Sequence, residues 1–308
     1  MKVVTVVGTR PEVIKLSRVI AELDARIEHV VIHTGQNYDY ELNEVFFEQL
    51  GLRPPDHVLG AAAASSAETI GQVIARVDRV LESERPEAML VLGDTDSALS
   101  VIAAKRRKIP IFHMEAGNRS FDERVPEEVN RRIVDHTSDV NLPYTEHARR
   151  NLEREGIRPD LIVKTHSPLR EVLEYYRPGI EASDVLGRFS LARGEYFVVS
   201  CHRAENVDDP ERLALFVEML HALVGTYGRS VVMSTHPRTR ERLEQAGVDM
   251  ACPGPVRFLK PLGFLDYVKL ETEAACVLSD SGTLTEESSI LGFPADDPRV
   301  ARAPRRDG

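Results

Sequence analysis

Short runs of β-branched and other apolar residues, the first being Val3-Val4-Thr5-Val6-Val7, alternate along the chain with longer amphipathic stretches. This alternation leaves few folds open, because it is the mark of βαβ units wound around parallel sheets. In the first half the pattern predicts strands at 2–7, 29–33, 88–92, 109–114, 139–142 and 161–164. Helices are expected between them near 11–24, 39–50, 66–84, 95–107, 126–137 and 145–155, with Asp39, Thr95 and Thr145 as caps. After Pro168 the periodicity weakens through Tyr175-Tyr176-Arg177-Pro178-Gly179, and a new strand is expected at 196–200. A second α/β unit follows, with strands at 230–235, 275–279 and a short one near 255–258, and helices near 209–225, 237–246, 263–273 and 283–291.

A chain of 308 residues exceeds what one hydrophobic core usually supports. The expected organisation is therefore a doubly wound domain over 1–168, a second over 169–295 and an atypical, loosely attached tail over 296–308. With 49 acidic against 39 basic side chains the net charge is −10, which argues against general nucleic-acid binding. Cys201, Cys252 and Cys276 have neither disulfide-framework nor zinc spacing and suit a reducing cytoplasm. No apolar stretch approaches the roughly 20 residues of a membrane span, and no residue trio has metal-site spacing.

The chemistry-bearing residues cluster where strands are expected to end. The first strand runs into Gly8-Thr9-Arg10-Pro11-Glu12, with Lys15 one turn further on. Glycine permits a tight turn there, the helix amides favour an anion, and Arg10 and Lys15 add positive charge; the plainer reading is a βα turn with two solvated cations. Gly93-Asp94-Thr95 places a carboxylate at the next strand end, where open α/β sheets bind ligands, although Asp94 or Thr95 also suits a helix cap. His113-Met114-Glu115-Ala116-Gly117 repeats the arrangement. In Pro126-Glu127-Glu128-Val129-Asn130-Arg131, Glu127 and Arg131 have the spacing of a helical salt bridge. Convergence of Asp94, Glu115 and Glu127 with the cations would suit proton transfer on a charged ligand.

In the second unit, His202 and His236 follow two expected strands, and Asp280-Ser281-Gly282-Thr283-Leu284-Thr285-Glu286-Glu287 opens a helix with small polar residues ahead of two carboxylates. Ser281, Gly282 and Thr283 can offer amides and hydroxyls to phosphate, and one glutamate can accept both ribose hydroxyls. No Gly-x-Gly-x-x-Gly follows any strand, which disfavours NAD.

Taken in order, these seven motifs resemble those of the non-hydrolysing UDP-N-acetylglucosamine 2-epimerases. The resemblance implies two Rossmann-like domains in a GT-B arrangement, with the second domain incomplete here, since family members continue past the Gly-Phe-Pro-Ala segment. It implies elimination of UDP across C1 and C2 of the sugar and re-addition after reprotonation on the other face, converting UDP-GlcNAc to UDP-ManNAc without Mg²⁺ or NAD. By the same resemblance Asp94, Glu115 and Glu127 are the acid/base set, with Lys15 and His202 assisting. Arg10, Arg131, His236, Ser281, Gly282 and Glu287 bind the UDP-sugar. A cytoplasmic homodimer without nucleic-acid or membrane partners is expected, with hinge motion near 168–194.

Gly35-Gln36-Asn37-Tyr38-Asp39-Tyr40-Glu41-Leu42 and Arg119-Ser120-Phe121-Asp122 look closest to the capsule and O-antigen deoxysugar branch, whose substrate can be UDP-2-acetamido-2,6-dideoxy-L-talose. The rival readings are a GT-B glycosyltransferase and an inactive UDP-sugar-binding remnant. His166 stands where the family usually has glycine, which would strain the turn if a positive φ is needed.

Overall fold

β1 (Lys2–Val7) is buried from Val3 onward, as a central parallel strand covered on both faces must be. It pairs in parallel with β2 (Glu28–His33) on one side and β4 (Ala88–Leu92) on the other. In this computed structural model, which describes residues 1–36, 46–201, 208–235, 237–248, 250 and 254–296, the chain divides into two compact units that meet between Tyr175 and Tyr176. β5 (Ile111–Met114), β6 (Val140–Leu142) and the two-residue β3 (His57–Val58) complete the first sheet, in the order β3-β2-β1-β4-β5-β6. This is the Rossmann order, and its switch point falls between β1 and β4.

Helix α1 (Arg10–Arg26) starts with Pro11 in its first turn and with Glu12 reaching back to the Thr9 amide. In α2 (Ser66–Glu84), Ser65 accepts the Glu68 amide as N-cap, and Thr69, Val73, Val77 and Val80 form the buried stripe. The stretch expected as a helix over 95–107 begins as a 3₁₀ turn, Asp96–Ser100, and continues as α3 (Val101–Arg106). α4 (Pro126–Thr137) and α5 (Glu146–Arg154) follow, the latter capped by Thr145 as expected. The core of this unit joins Val4, Val6, Ile32, Val73, Val77, Met89, Val91 and Ile111. Each such fully buried side chain contributes about 1.5–3 kcal/mol.

The second sheet runs β11-β10-β7-β8-β9, built from β7 (Tyr196–Ser200), β8 (Ser230–Ser234), β9 (Val256–Leu259), β10 (Cys276–Ser279) and β11 (Ala295–Asp296), with helix α8 (Pro210–Tyr227) after β7 and α9 (Pro237–Gln245) after β8. Alternate residues of β7 enter separate clusters, Tyr196 and Val198 in one and Phe197 and Val199 in the other, so the strand is packed on both faces.

Three expectations need correction. The strand expected at 161–164 is absent: a 3₁₀ turn covers Pro159–Leu161, and Ile162 alone bridges Asn141. The weakly patterned stretch after Pro168 is a continuous helix, α6 (Leu169–Ala182), followed by the short α7 (Val185–Arg188). Pro178 is tolerated because the carbonyl it leaves without an amide, that of Glu174, belongs to an exposed residue, while Leu169, Val172, Leu173, Tyr176 and Ile180 keep a helical apolar stripe. β3 and β11 went unanticipated, being only two residues each. The expected cap Asp39, most of the helix expected at 39–50 and the tail after Asp296 lie outside the described residues.

Candidate active site

At the end of β1 the anion seat expected from the backbone amides is already filled. Glu12 Oε2 accepts the Gly8 amide at 2.9 Å, the Thr9 amide at 2.7 Å and the Thr9 hydroxyl at 2.9 Å. Its Oε1 accepts the Thr95 hydroxyl at 2.8 Å, so Thr95 braces Glu12 and makes no side-chain cap of its own. Burial pushes the Glu12 carboxyl up to about 7, against the opposing pull of these four donors. Gly8 is required here for close approach, with no positive φ: a Cβ would fall 1.9 Å from Ser97 Oγ and 2.3 Å from Thr34 Oγ1.

The two cations of this turn have separate neighbours. The Arg10 guanidinium lies 5.3 Å from the Phe46 ring centre. Lys15 is buried, and its Nζ donates to Glu115 Oε2 at 2.6 Å, so the reading of two solvated cations fails for Lys15. Glu115 reaches Lys15 from the end of β5 through a left-handed backbone, φ +65°, a conformation uncommon outside glycine. Asn118 Nδ2 donates to its other oxygen at 3.4 Å.

Asp94, at the end of β4, is held by Arg131, whose Nε and Nη2 lie 2.7 and 2.6 Å from Oδ2. Burial pushes the Asp94 carboxyl above its ordinary value; Arg131 opposes that shift, and the charges of Glu115 and Glu127 reinforce it. The three acid/base candidates therefore share one electrostatic neighbourhood, Asp94 and Glu115 through adjacent strands and Glu127 from the exposed first turn of α4. The expected Glu127–Arg131 salt bridge does not form: Arg131 pairs with Asp94 and, at 3.1 Å, with Glu128.

Beneath these groups lie polar residues that the sequence did not single out for the site. Asn130 Nδ2 donates to the Asp94 carbonyl at 2.9 Å. Asp135, fully buried, accepts the Gly117 amide and pairs with Arg119 at 2.7 Å, and Arg119 in turn grips Glu155 with two nitrogens. The signal available was spacing: Arg131 and Asp135 are four apart on α4, hence on one face.

In the second unit, β7 and β10 flank the switch point, and the buried Asp280 donates its amide to the Ser200 carbonyl at 3.3 Å. Ser281, Gly282 and Thr283 form the turn into α11 (Leu284–Leu291), with the Ser281 and Thr283 hydroxyls 3.1 Å apart. Gly282 is exposed and Glu287 half-buried in the first turn of α11. Behind Glu287 lies Glu271 of α10 (Phe264–Glu273), 1% exposed; burial first, then the charge of Glu287, holds its carboxyl well above the ordinary range. Burial first, then the charges of Glu271 and Glu287, holds the Tyr267 hydroxyl well above its ordinary range. Glu271 was not anticipated, since a glutamate in an amphipathic helix that also carries Asp266, Lys269 and Glu273 reads as surface. His202 and His236 lie outside the described residues.

Comparison with known proteins agrees with this layout. A sequence profile described as UDP-N-acetylglucosamine 2-epimerase matches residues 21–299. The UDP-N-acetylglucosamine 2-epimerase of Methanocaldococcus jannaschii is 36% identical over 301 residues, covering 96% of this chain and 82% of that protein. A crystal structure of the Methanocaldococcus jannaschii UDP-GlcNAc 2-epimerase in complex with UDP-GlcNAc and UDP matches with a TM-score of 0.89 at 35% identity, over 96% of this chain and 83% of that one. The structure of UDP-N-acetylglucosamine 2-epimerase from Rickettsia bellii matches with a TM-score of 0.85 at 52% identity, over 96% and 78% of the two chains. With two parallel-sheet α/β units and carboxylates at adjacent strand ends of the first, this chain belongs to the UDP-N-acetylglucosamine 2-epimerase family of isomerases.

Proposed function

We propose that this chain interconverts UDP-N-acetylglucosamine and UDP-N-acetylmannosamine. The C2 hydrogen of the sugar is not adjacent to a carbonyl, so simple deprotonation and reprotonation is a poor route. In elimination, a carboxylate takes the C2 proton, the C1–O bond breaks, and its electron pair leaves with UDP, giving a 2-acetamidoglucal. Reprotonation at C2 on the other face and return of UDP to C1 complete the inversion.

The observation that carries this reading is the pair of carboxylates in unlike surroundings at neighbouring strand ends. Glu115 is ion-paired to Lys15, and Asp94 is partly desolvated and gripped by Arg131. Two proton-transfer groups with opposing duties need such a difference. Asp94, Glu115 and Glu127 form the acid/base set, Lys15 and His202 steady the departing diphosphate, and Arg10 and Arg131 act on the substrate side. His236, Ser281, Gly282 and Glu287 hold UDP. Family membership supports a cytoplasmic homodimer that feeds capsule or O-antigen polysaccharide synthesis, with 1–168 supplying the acid/base residues and 169–295 the UDP site.

The test is incubation with UDP-N-acetylglucosamine in D₂O, following the C2 proton by NMR. Deuterium at C2 together with UDP-N-acetylmannosamine is the expected result. Absence of exchange with this substrate, but exchange with UDP-2-acetamido-2,6-dideoxy-L-talose, would move the activity to the deoxysugar; absence with both would overturn it.

A further inference from the structure

The two turns that carry Asp94 and Glu115 are tied to each other from below by one buried chain of polar side chains. His113, 1% exposed on β5, donates from Nε2 to the Gly93 carbonyl at 2.9 Å, and its Nδ1 is in contact with Asp135 Oδ1 at 2.9 Å without the alignment of a hydrogen bond, so the two elements are linked there by close packing of polar groups. Asp135 also receives the Gly117 amide on both oxygens at 3.2 Å. Thus one carboxylate, through His113 on one side and Gly117 on the other, spans from the residue before Asp94 to the turn that follows Glu115. Arg119, whose side chain is 0% exposed, closes the chain: it bonds Asp135, Glu155 and the Asn118 carbonyl. The same helix supplies Asn130 to the Asp94 carbonyl and Arg131 to its carboxylate.

The turn being held is one that would not hold itself. Glu115 takes φ +65° and Gly117 φ +80°, and a Cβ on Gly117 would meet the Ala148 carbonyl oxygen at 2.4 Å. Backbone of this kind persists only where its surroundings over-determine it. A hydrophobic filling beneath the site would support the sheet equally well, yet would fix neither the Gly93 carbonyl nor the Gly117 amide.

We propose that the buried His113–Asp135–Arg119 chain is a positioning device that sets the separation of the Asp94 and Glu115 carboxylates, and so decides how elimination and reprotonation are matched. The proposal rests on the epimerase reading. Neither His113 nor Asp135 touches substrate; each acts through the turns.

Asp135→Asn and His113→Gln are compared with wild type, with rates expressed per chain that binds UDP by calorimetry. In Asp135→Asn, kcat falls by about tenfold or more while KM for UDP-N-acetylglucosamine stays within about twofold. The ratio of C2 deuterium in recovered substrate to epimer formed shifts by about threefold or more. His113→Gln, which frees the Asp94 turn alone, shifts the same ratio with a smaller loss of rate, and decides the matter should Asp135→Asn fail to fold. A merely structural role would lower the UDP-binding fraction but leave both the rates per binding chain and the ratio at their wild-type values, and that result overturns the proposal. Wild type without exchange on either UDP-N-acetylglucosamine or UDP-2-acetamido-2,6-dideoxy-L-talose would overturn the epimerase reading itself.

Discussion

Glu12 illustrates how far a single residue can depart from what its motif suggests. Gly8-Thr9-Arg10-Pro11-Glu12 was legible as a strand-to-helix turn with anion-binding amides; its own carboxylate takes those amides. Sequence spacing alone does not distinguish a glutamate in the first helical turn that faces water from one that folds back on its cap. The carboxyl is 2% exposed and raised to about 7, so between pH 4.5 and 7 the folded protein holds a proton that the unfolded chain has released. Stability contributed by that proton is therefore full below the ordinary glutamate range and is lost as pH rises through about 7. Relative to Glu12→Gln, wild type should lose about 3 kcal/mol over that window, read as the difference between urea melts at pH 5 and pH 8. A difference independent of pH would mean that the donors around Glu12 outweigh its burial. Asp135 was illegible for another reason: it lies on a helix face that is buried but polar, and a search for apolar periodicity reads such a face as solvated.

Elements with a strong local signal were plain in the sequence. β1 and α2 carry β-branched runs, apolar stripes and caps that agree with one another, and their limits coincide with expectation. α6 failed because Pro178-Gly179 was given more weight than the stripe from Leu169 to Ile180. A proline whose missing bond falls on an exposed face costs less than punctuation rules imply. β3 and β11 exist only because β2 and β10 are there to pair with, which no window of two residues can reveal. The loop between α5 and α6 bore out its expected strain: exposed His166 takes φ +64°. His166→Gly should raise stability by about 1 kcal/mol, because the left-handed penalty of a side chain vanishes and no buried contact is lost. Chemical denaturation measures this, and a loss of stability would show that the histidine makes compensating contacts.

At the scale of the whole molecule, two α/β units were foreseeable from strand count and spacing, and both are present, whereas the matching strand order of their sheets is set by packing. The shared neighbourhood of Asp94, Glu115 and Glu127 in the first unit was foreseeable only in part. Strand ends placed Asp94 and Glu115, whereas the partners that tune them, Lys15 and Arg131, were settled by packing. A ligand that binds the folded chain alone stabilises it by mass action, so UDP at a hundredfold excess over Kd should add about 2.7 kcal/mol. A thermal midpoint unmoved by UDP would contradict UDP binding by this chain. The first unit also carries a permanent tenant where a phosphate would otherwise settle among oriented amides. If diphosphate is drawn to this face, as proposed, the part-exposed Arg10 is the charge left to hold it, since Lys15 is buried against Glu115, and such a charge weakens with ionic strength far more than a nest of backbone dipoles does. Salt should therefore loosen the grip of this unit on released UDP, favouring escape over recapture.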